Sequence, residues 1–492
     1  MSFAGSIASS ANKRKGSPSS GDGDPSACPL LDSRAGKIPR RLIPDLPEDI
    51  WRHIHSLMPL RAAARAACLS RAFLCSWRCY PNLIFNEDVL RSEAHGYNPR
   101  YFSRTVDHIL SNHSSIGLKI LKIGLGDISF RKLKSWLHAA ITPGIVDITI
   151  NIWEDYKKYK FPCSLLSEGV RNSIRNLDLA ACAFHPTAEL GTLRSLTSLC
   201  LYCVRIERGE LECLLSNSPA LEQLNLAHCD KITCLKIPRV LERLTSLIVS
   251  FCWRLQVIEN QAPNLSSLEI SGDIIIGGMS QVKNLVGMSY SKRFSFALAE
   301  LPSIMPNLET LIIRSGDEVV YTPIMPSTKF LCLKHLDIFV TVSPPYDYVP
   351  LVSFLDASPY LRTLSLDFNT GHQEHESVLE LSSPWKQMAE HHHRSLKSVK
   401  ITRFSSAKSL VELTCYILKN AVSLECLTLD TLPYGFGCNG ENHERRFSIQ
   451  KSIMREAPRA LVAIRTYIED KVPTRVKLTI GEPCSQCHAE DN

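Results

Sequence analysis

The chain has no run of 18 consecutive apolar residues, so no segment reads as a transmembrane helix and no membrane partner is expected. Nor does it contain a run of five or more like charges. Its 56 basic side chains nearly balance 49 acidic ones, and the net charge of +7 is spread along the sequence. That distribution does not demand a nucleic-acid partner, and none is expected. Missing too are a Gly-x-Ser-x-Gly elbow, a Walker phosphate loop and a His-Glu-x-x-His zinc motif. The first forty residues are rich in Ser, Gly, Pro and Asp and hold no apolar stretch of signal-peptide length. Export is therefore not expected, and the 18 cysteines read as thiols in the nucleus or cytoplasm.

At 492 residues the chain is too long for one compact core, so several units or an extended array are expected. The apolar fraction of 44% and charged fraction of 21% are those of an ordinary globular protein. Residues 1–39 read as a disordered tail, with Lys13, Arg14 and Lys15 as a short basic cluster. From Leu42 the pattern becomes helical. Asp45 is placed to cap a first helix, and Glu48 and Asp49 fall in its first turn, where carboxylates favour the positive end of the dipole. Leu46, Ile50, Ile54 and Leu57 recur at spacings of three and four and form one apolar stripe. Pro59 ends that helix. An Ala-rich helix follows with Ala64, Ala67 and Cys68 inward, then a third segment with Phe73, Leu74 and Trp77 before Pro81.

Residues 46–86 resemble the F-box motif. The landmarks are Leu46-Pro47, Met58-Pro59-Leu60, the Ala-rich stretch Ala62 to Ala67, Ser70-Arg71 and Trp77, in the order and spacing of that family. Met58 stands where Leu is commoner, a volume-conserving change, and Cys75 sits in a stretch usually more polar. The resemblance implies docking to the Skp-type adaptor of a cullin-based ubiquitin-ligase core. Leu46, Pro47, Ile50, Ile54, Met58, Pro59, Leu60, Ala67, Cys68, Leu69 and Trp77 match the motif's apolar positions. Some of these belong to the module's own core and others to the adaptor contact, and the sequence does not divide them. The F-box span is taken as 40–86, followed by a helical linker over 87–116.

A second periodicity then takes over. The template L-x-x-L-x-L begins at Leu118, Ile145, Ile174, Leu196, Leu221, Leu244, Leu265, Leu285, Leu308, Leu333, Leu361, Leu396 and Leu424, at intervals of 20 to 35 residues. Such spacing is that of leucine-rich repeats, and prolines such as Pro219, Pro238 and Pro263 exclude a long coiled coil. The unit at Leu285, with Met288 and Tyr290, is degenerate, and the longest interval implies an insertion over Gly371 to Met388. Cys182, Cys229 and Cys252 occupy the position after the strand, where a small, weakly polar side chain suits a tight buried turn. The expected fold is α/β: a three-helix F-box, then a solenoid with repeats over 117–385, final repeats and a cap over 386–480, and a tail over 481–492. Residues 395–432 and 457–480 resemble the FBD-like end of plant F-box/leucine-rich-repeat proteins.

Alternate strand residues face the concave side, and these are the expected target-binding positions. They include Ser198, Cys200, Tyr202, Gln223, Asn225, Ser246, Ile248, Glu269, Ile312, Arg314, His335, Asp337, Phe339, Asp367, Lys400 and Asp430. No catalytic residue, cofactor or metal is expected. Gly435-x-Gly437-x-x-Gly440 is followed by Glu-Asn-His-Glu-Arg-Arg rather than an apolar helix face, so it reads as a loop and not a dinucleotide fingerprint. Cys484-x-x-Cys487-His488 lies in the last ten residues without a scaffold to lower a thiol pKa or hold zinc. His391, His392 and His393 are adjacent and cannot all point one way. The resemblance therefore implies a non-catalytic adaptor that holds an unknown protein substrate. The alternative is a repeat scaffold or ligand sensor with a non-functional F-box.

Overall fold

The computed structural model describes residues 47–86, 99–126, 129–152, 159–272, 274–289, 293–316, 328–342, 346–370, 375–380, 384–386, 388, 390–433 and 451–483. Leu46, Asp45, the tail over 1–39, the glycine motif at 435–440 and the Cys484–His488 motif lie outside them. Three short helices come first: α1 (Glu48–Ser56), α2 (Leu60–Ala66) and α3 (Arg71–Arg78). Pro47 and Pro59 stand at the N-caps of α1 and α2, where a missing N–H leaves nothing unsatisfied. Ser70 caps α3 with a side-chain oxygen that accepts from the Phe73 amide at 3.1 Å.

A 15-stranded parallel sheet follows, with its strands in sequence order. Each of the thirteen templates forms one strand, from Ile120–Leu125 to Cys426–Asp430. Burial alternates along the strands, with breaks at some last positions, where Ala180, Ser271 and Thr402 are buried as well. In Ser246–Ser250, Leu247 and Val249 are fully buried while Ser246, Ile248 and Ser250 are not. Because the side-chain period is 2, the apolar pair of each strand stacks on that of the next, and registers such as Leu224↔Leu247 and Leu247↔Leu268 carry the core along the array.

The backing of the sheet varies with unit length. Longer units return through helices such as Phe130–Ala140, Arg208–Ser216 and Lys408–Asn420. Units near the middle are too short for a helix and return through extended segments. Cys234–Ile237, Val257–Asn260 and Ile275–Gly277 pair there into a second parallel sheet of three strands.

The degenerate unit differs from the sequence reading. Leu285 pairs with Leu268 and Leu311, so it is the second apolar position and not the first. The buried set is Val282, Leu285 and Gly287, and the template is shifted by three residues. Gly287 fills an inward position without an apolar side chain, which hid the true register. The sheet also extends past both ends of the thirteen units. Asn82–Phe85 precedes them, inside the stretch read as the F-box, and Lys477–Gly481 follows them.

Strand Asn82–Phe85 joins the helices to the array. Leu83 and Phe85 are fully buried and share one apolar cluster with Leu60 and Ala63 of α2 and with Phe102. The Tyr80 hydroxyl donates to the Met58 carbonyl at 2.7 Å, and the Tyr80 carbonyl is bonded by His113 Nε2 at 2.8 Å. Helices and solenoid therefore have a continuous core.

After several strands the chain makes one left-handed turn residue: Ala181, Cys203, His228, Phe251 and Arg403, with φ between 52° and 56°. The geometry follows from pairing. The Ala181, Cys203 and His228 amides each donate to the last strand carbonyl of the next unit (Tyr202, Ala227 and Ser250) at 2.8–2.9 Å. Immediately after come the buried Cys182, Cys229 and Cys252, and the thiols of the last two donate to carbonyls of the preceding unit, Leu201 at 3.4 Å and Leu226 at 3.7 Å. Val204 and Phe404 take the same place after Cys203 and Arg403, so the position accepts a buried apolar side chain as well as a thiol.

Glycines at two sites make opposite demands. Gly278 has φ +72° and a Cβ there would collide with the Asn260 carbonyl, whereas Gly209 lies in the helix Arg208–Ser216 with open space around it. Gly278→Ala is expected to destabilise by about 2 kcal/mol or more. Gly209→Ala should instead be neutral or stabilising by up to about 1 kcal/mol. Urea midpoints of the two variants decide the matter, and a fall for both would mean that the helix Arg208–Ser216 is not formed as described.

Candidate functional sites: the helical module and the concave strand face

The three helices pack around an aromatic centre. Trp51 and His55, one turn apart on α1, meet Phe73 of α3 edge-on at 4.7 and 4.9 Å between ring centres. His55 is fully buried and neither ring nitrogen makes a well-formed hydrogen bond. Burial holds its pKa below 6.5, with the Trp51 carbonyl pulling weakly the other way.

With Trp51 and His55 inward, the stripe that looked like the core of α1 faces out. Ile50 is 41% exposed and Leu57 73% exposed, with Ile54 half-buried between them. Leu69 and Leu74 are exposed as well, as are Cys68 and Cys75. Four of the sixteen exposed large apolar side chains among the described residues thus fall within this small module. Burying each fully would be worth about 1.5–3 kcal/mol, so the module leaves a sizeable apolar cost on its surface.

The structure separates the expected docking residues. Pro47, Ile50, Pro59, Cys68 and Leu69 face solvent. Leu60 and Ala67 are buried, while Met58 and Trp77 are partly buried and pack on the core, Trp77 with its ring 5.5 Å from that of Tyr80. Ala63 takes the inward place expected of Ala64, and Cys68 points out because α2 ends at Ala66 and the chain turns away. Leu57 and Leu74 join the exposed set, and the i, i+4 pair Trp51/His55 was the available sign that α1 had a second apolar face.

On the array, nine of the sixteen expected concave residues fall in two groups, with Glu269 on a strand between them. Tyr202, Gln223, Asn225 and Ile248 lie on three successive strands. Ile312, Arg314, His335, Asp337 and Phe339 lie on two adjacent ones, beyond two intervening strands. In the second group His335 Nδ1 is 2.8 Å from the Thr363 hydroxyl, and Arg403 pairs with Asp367 at 3.0 Å with its guanidinium 5.5 Å from the Phe339 ring centre. Burial holds the Asp337 carboxyl above the usual carboxylate range; it does the same to Asp367, against the pull of Arg403.

Beside the first group is a polar depression of about 300 Å³ lined by Lys122, Asp147, Thr149, Asn176, Asp178, Ser198, Cys200 and Gln223. Lys122 pairs with Asp147 at 3.2 Å. Burial raises the Asp178 carboxyl above its usual range, opposed by a hydrogen bond with the Cys200 thiol, and burial pushes that thiol up to about 12. Sequence reading did not single out Lys122, Asp147 or Asp178, because each stands alone in its own repeat and only the lateral register gathers them.

Next to it runs an aromatic ridge. Tyr202 meets His228 at 5.3 Å, His228 stacks on Phe251 at 5.1 Å with planes 13° apart, and Phe251 meets Trp253 at 5.8 Å. His228 and Phe251 are themselves left-handed turn residues, a conformation costing a bulky residue roughly 1 kcal/mol or more.

Comparison with known proteins places these features. A family model described as At1g61320/AtMIF1, LRR domain, matches residues 109–485. The chain belongs to this leucine-rich-repeat family. An F-box domain model matches residues 43–82, the helical module. The F-box/FBD/LRR-repeat protein At1g13570 of Arabidopsis thaliana is 23% identical over 79% of this chain and 91% of its own length. The FBD-associated F-box protein At5g56370 of the same plant is 23% identical over 78% and 89%. With the F-box/FBD/LRR-repeat protein At3g52680 the identity is 26% over 41% of this chain, and the match spans 44% of that protein. Among the described residues no helix of this F-box/leucine-rich-repeat chain is long and apolar enough to cross a membrane.

The buried His55 gives the F-box a pH signature. Its pKa is lower folded than unfolded, so the unfolded chain takes up the proton first and stability falls as pH drops through about 6.5. His55→Met should raise the urea midpoint at pH 7 by the equivalent of about 1–2 kcal/mol, since two unsatisfied buried nitrogens are removed. The variant should also lose less stability than the parent between pH 7 and pH 5. Equal losses in the two chains would show that His55 is not buried neutral.

Proposed function

We propose that the chain is a substrate-recognition adaptor of a Skp-cullin-F-box ubiquitin ligase, in which the F-box docks a Skp-type subunit and the repeat array holds the protein to be ubiquitinated. The observation that carries this reading is the outward apolar set Ile50, Leu57, Leu69 and Leu74 on an F-box whose own core is already filled by Trp51, His55, Phe73 and Leu60. A docking surface of that kind is apolar at its centre and buries a few large side chains that carry most of the affinity.

In this role the chain performs no bond chemistry. Ubiquitin transfer belongs to the ligase, and the adaptor contributes proximity, converting an encounter of two proteins into a reaction within one assembly. The continuous core from α2 into the first strands suits that task, because a target on the array is held at a set distance from the docked subunit. The nucleus or cytoplasm, where ubiquitin ligases work, is the compartment this reading requires.

The double variant Leu57→Asp, Leu69→Asp places two charges in the proposed contact without touching the core. Co-purification with a Skp-type subunit should weaken at least a hundredfold while the thermal midpoint stays within a few degrees of the parent. Undiminished co-purification would mean that the docking surface lies elsewhere on the chain, whereas a parent chain that fails to co-purify would leave the repeat scaffold with a non-functional F-box as the better account. Trp77→Ala is a control of the other kind: it removes packing and should lower the melting temperature.

A further inference from the structure

Two features lie side by side that the adaptor reading does not specify: the polar depression on the strand face and the aromatic ridge that starts from Tyr202 and runs along the turns at the strand ends. The depression holds two carboxylates, Asp147 and Asp178, against one ammonium, Lys122, which leaves one negative charge on a half-buried polar surface. The remaining lining is neutral: Thr149, Asn176, Ser198 and Gln223 offer hydroxyls and amides beside Leu177 and Cys200. Its chemistry is complementary to a single cation that brings several N–H donors, as a guanidinium or ammonium does.

The ridge differs in character. Tyr202 is 47% exposed and Trp253 61% exposed, and between them stand His228 and Phe251 in strained turns. Lys231 and Arg254 outnumber Asp230 among the exposed charges of the same turns and oppose a cation at the ridge itself, so it suits an apolar or aromatic side chain. Geometry links the two features. Cys200 lines the depression and Tyr202 begins the ridge on the same strand, two residues on. One such step in extended chain is about 7 Å.

Building on the proposed role of the array as the target-binding part, we infer that this face binds an extended segment of a partner protein that carries a basic residue and, two positions away, a large apolar or aromatic one. The basic side chain enters the depression and pairs with Asp178; the apolar one lies on Tyr202, His228 and Phe251. Lys122 is the internal rival of the incoming cation, since it neutralises half of the depression's negative charge.

The full-length chain can be titrated with acetylated, amidated Ala-Ser-Arg-Ser-Phe-Ala and with the same peptide carrying citrulline, the neutral isostere of arginine. The arginine peptide should bind at least tenfold tighter. Asp178→Asn should abolish that preference, Lys122→Met should enlarge it, and Tyr202→Ala should weaken both peptides alike. Thermal melting of each variant identifies any loss that comes from unfolding, and the opposite directions expected of the two charge variants cannot both arise that way. Equal binding of the two peptides, or an arginine preference that survives Asp178→Asn, overturns the inference. Agmatine binding as tightly as the peptide would also overturn it, by pointing to a free amine as the ligand. Co-purification of the Asp178→Asn chain with a Skp-type subunit reports on the F-box separately, so failure of one proposal is not mistaken for failure of the other.

Discussion

The lateral register of the parallel sheet is the constraint on which everything else in this molecule rests. No repeat closes its own core. Leu247 and Val249 are buried because Leu224 and Leu226 lie on one side and Leu268 and Ile270 on the other. A slip of one residue in any strand would turn its apolar pair toward water and its polar residues into the core. The same register that secures the core also aligns the concave residues into rows, so fold and recognition surface are fixed by one set of backbone bonds.

The F-box enters this scheme as the cap of the array's first end. Strand Asn82–Phe85 would otherwise expose its apolar pair, and α2 covers it with Leu60 and Ala63. Terminal units of solenoids need such covers. Here the cover also presents a surface of its own, because α1 turns Trp51 and His55 inward and leaves Ile50 and Leu57 outside. Capping and presentation come from opposite faces of the same few helical turns.

Much of this was legible in the sequence. Thirteen templates announced thirteen strands, because leucine at fixed offsets has few other meanings over so many units. The two end strands were hidden for local reasons. Tyr80, Leu83 and Phe85 are aromatic-rich and sit under the F-box pattern, while Arg475 stands where the last template would need an apolar lead. The F-box was recognisable by landmarks, yet its faces could not be assigned: Ile50, Ile54 and Leu57 read as the better core by composition, and only contact with Phe73 shows that Trp51 and His55 hold that place. The depression was not legible at all. Lys122, Asp147 and Asp178 come from three different repeats, and nothing in one dimension says that they converge.

The left-handed turns staple neighbouring units together at the ends of the strands. The Ala181, Cys203 and His228 amides are each satisfied by a carbonyl of the unit that comes after. The Arg205 amide and the Cys229 and Cys252 thiols reach the other way, to carbonyls of the unit before. Opening any one unit therefore strips bonds from both of its neighbours, and the array loses structure in runs of adjacent repeats, not one repeat at a time.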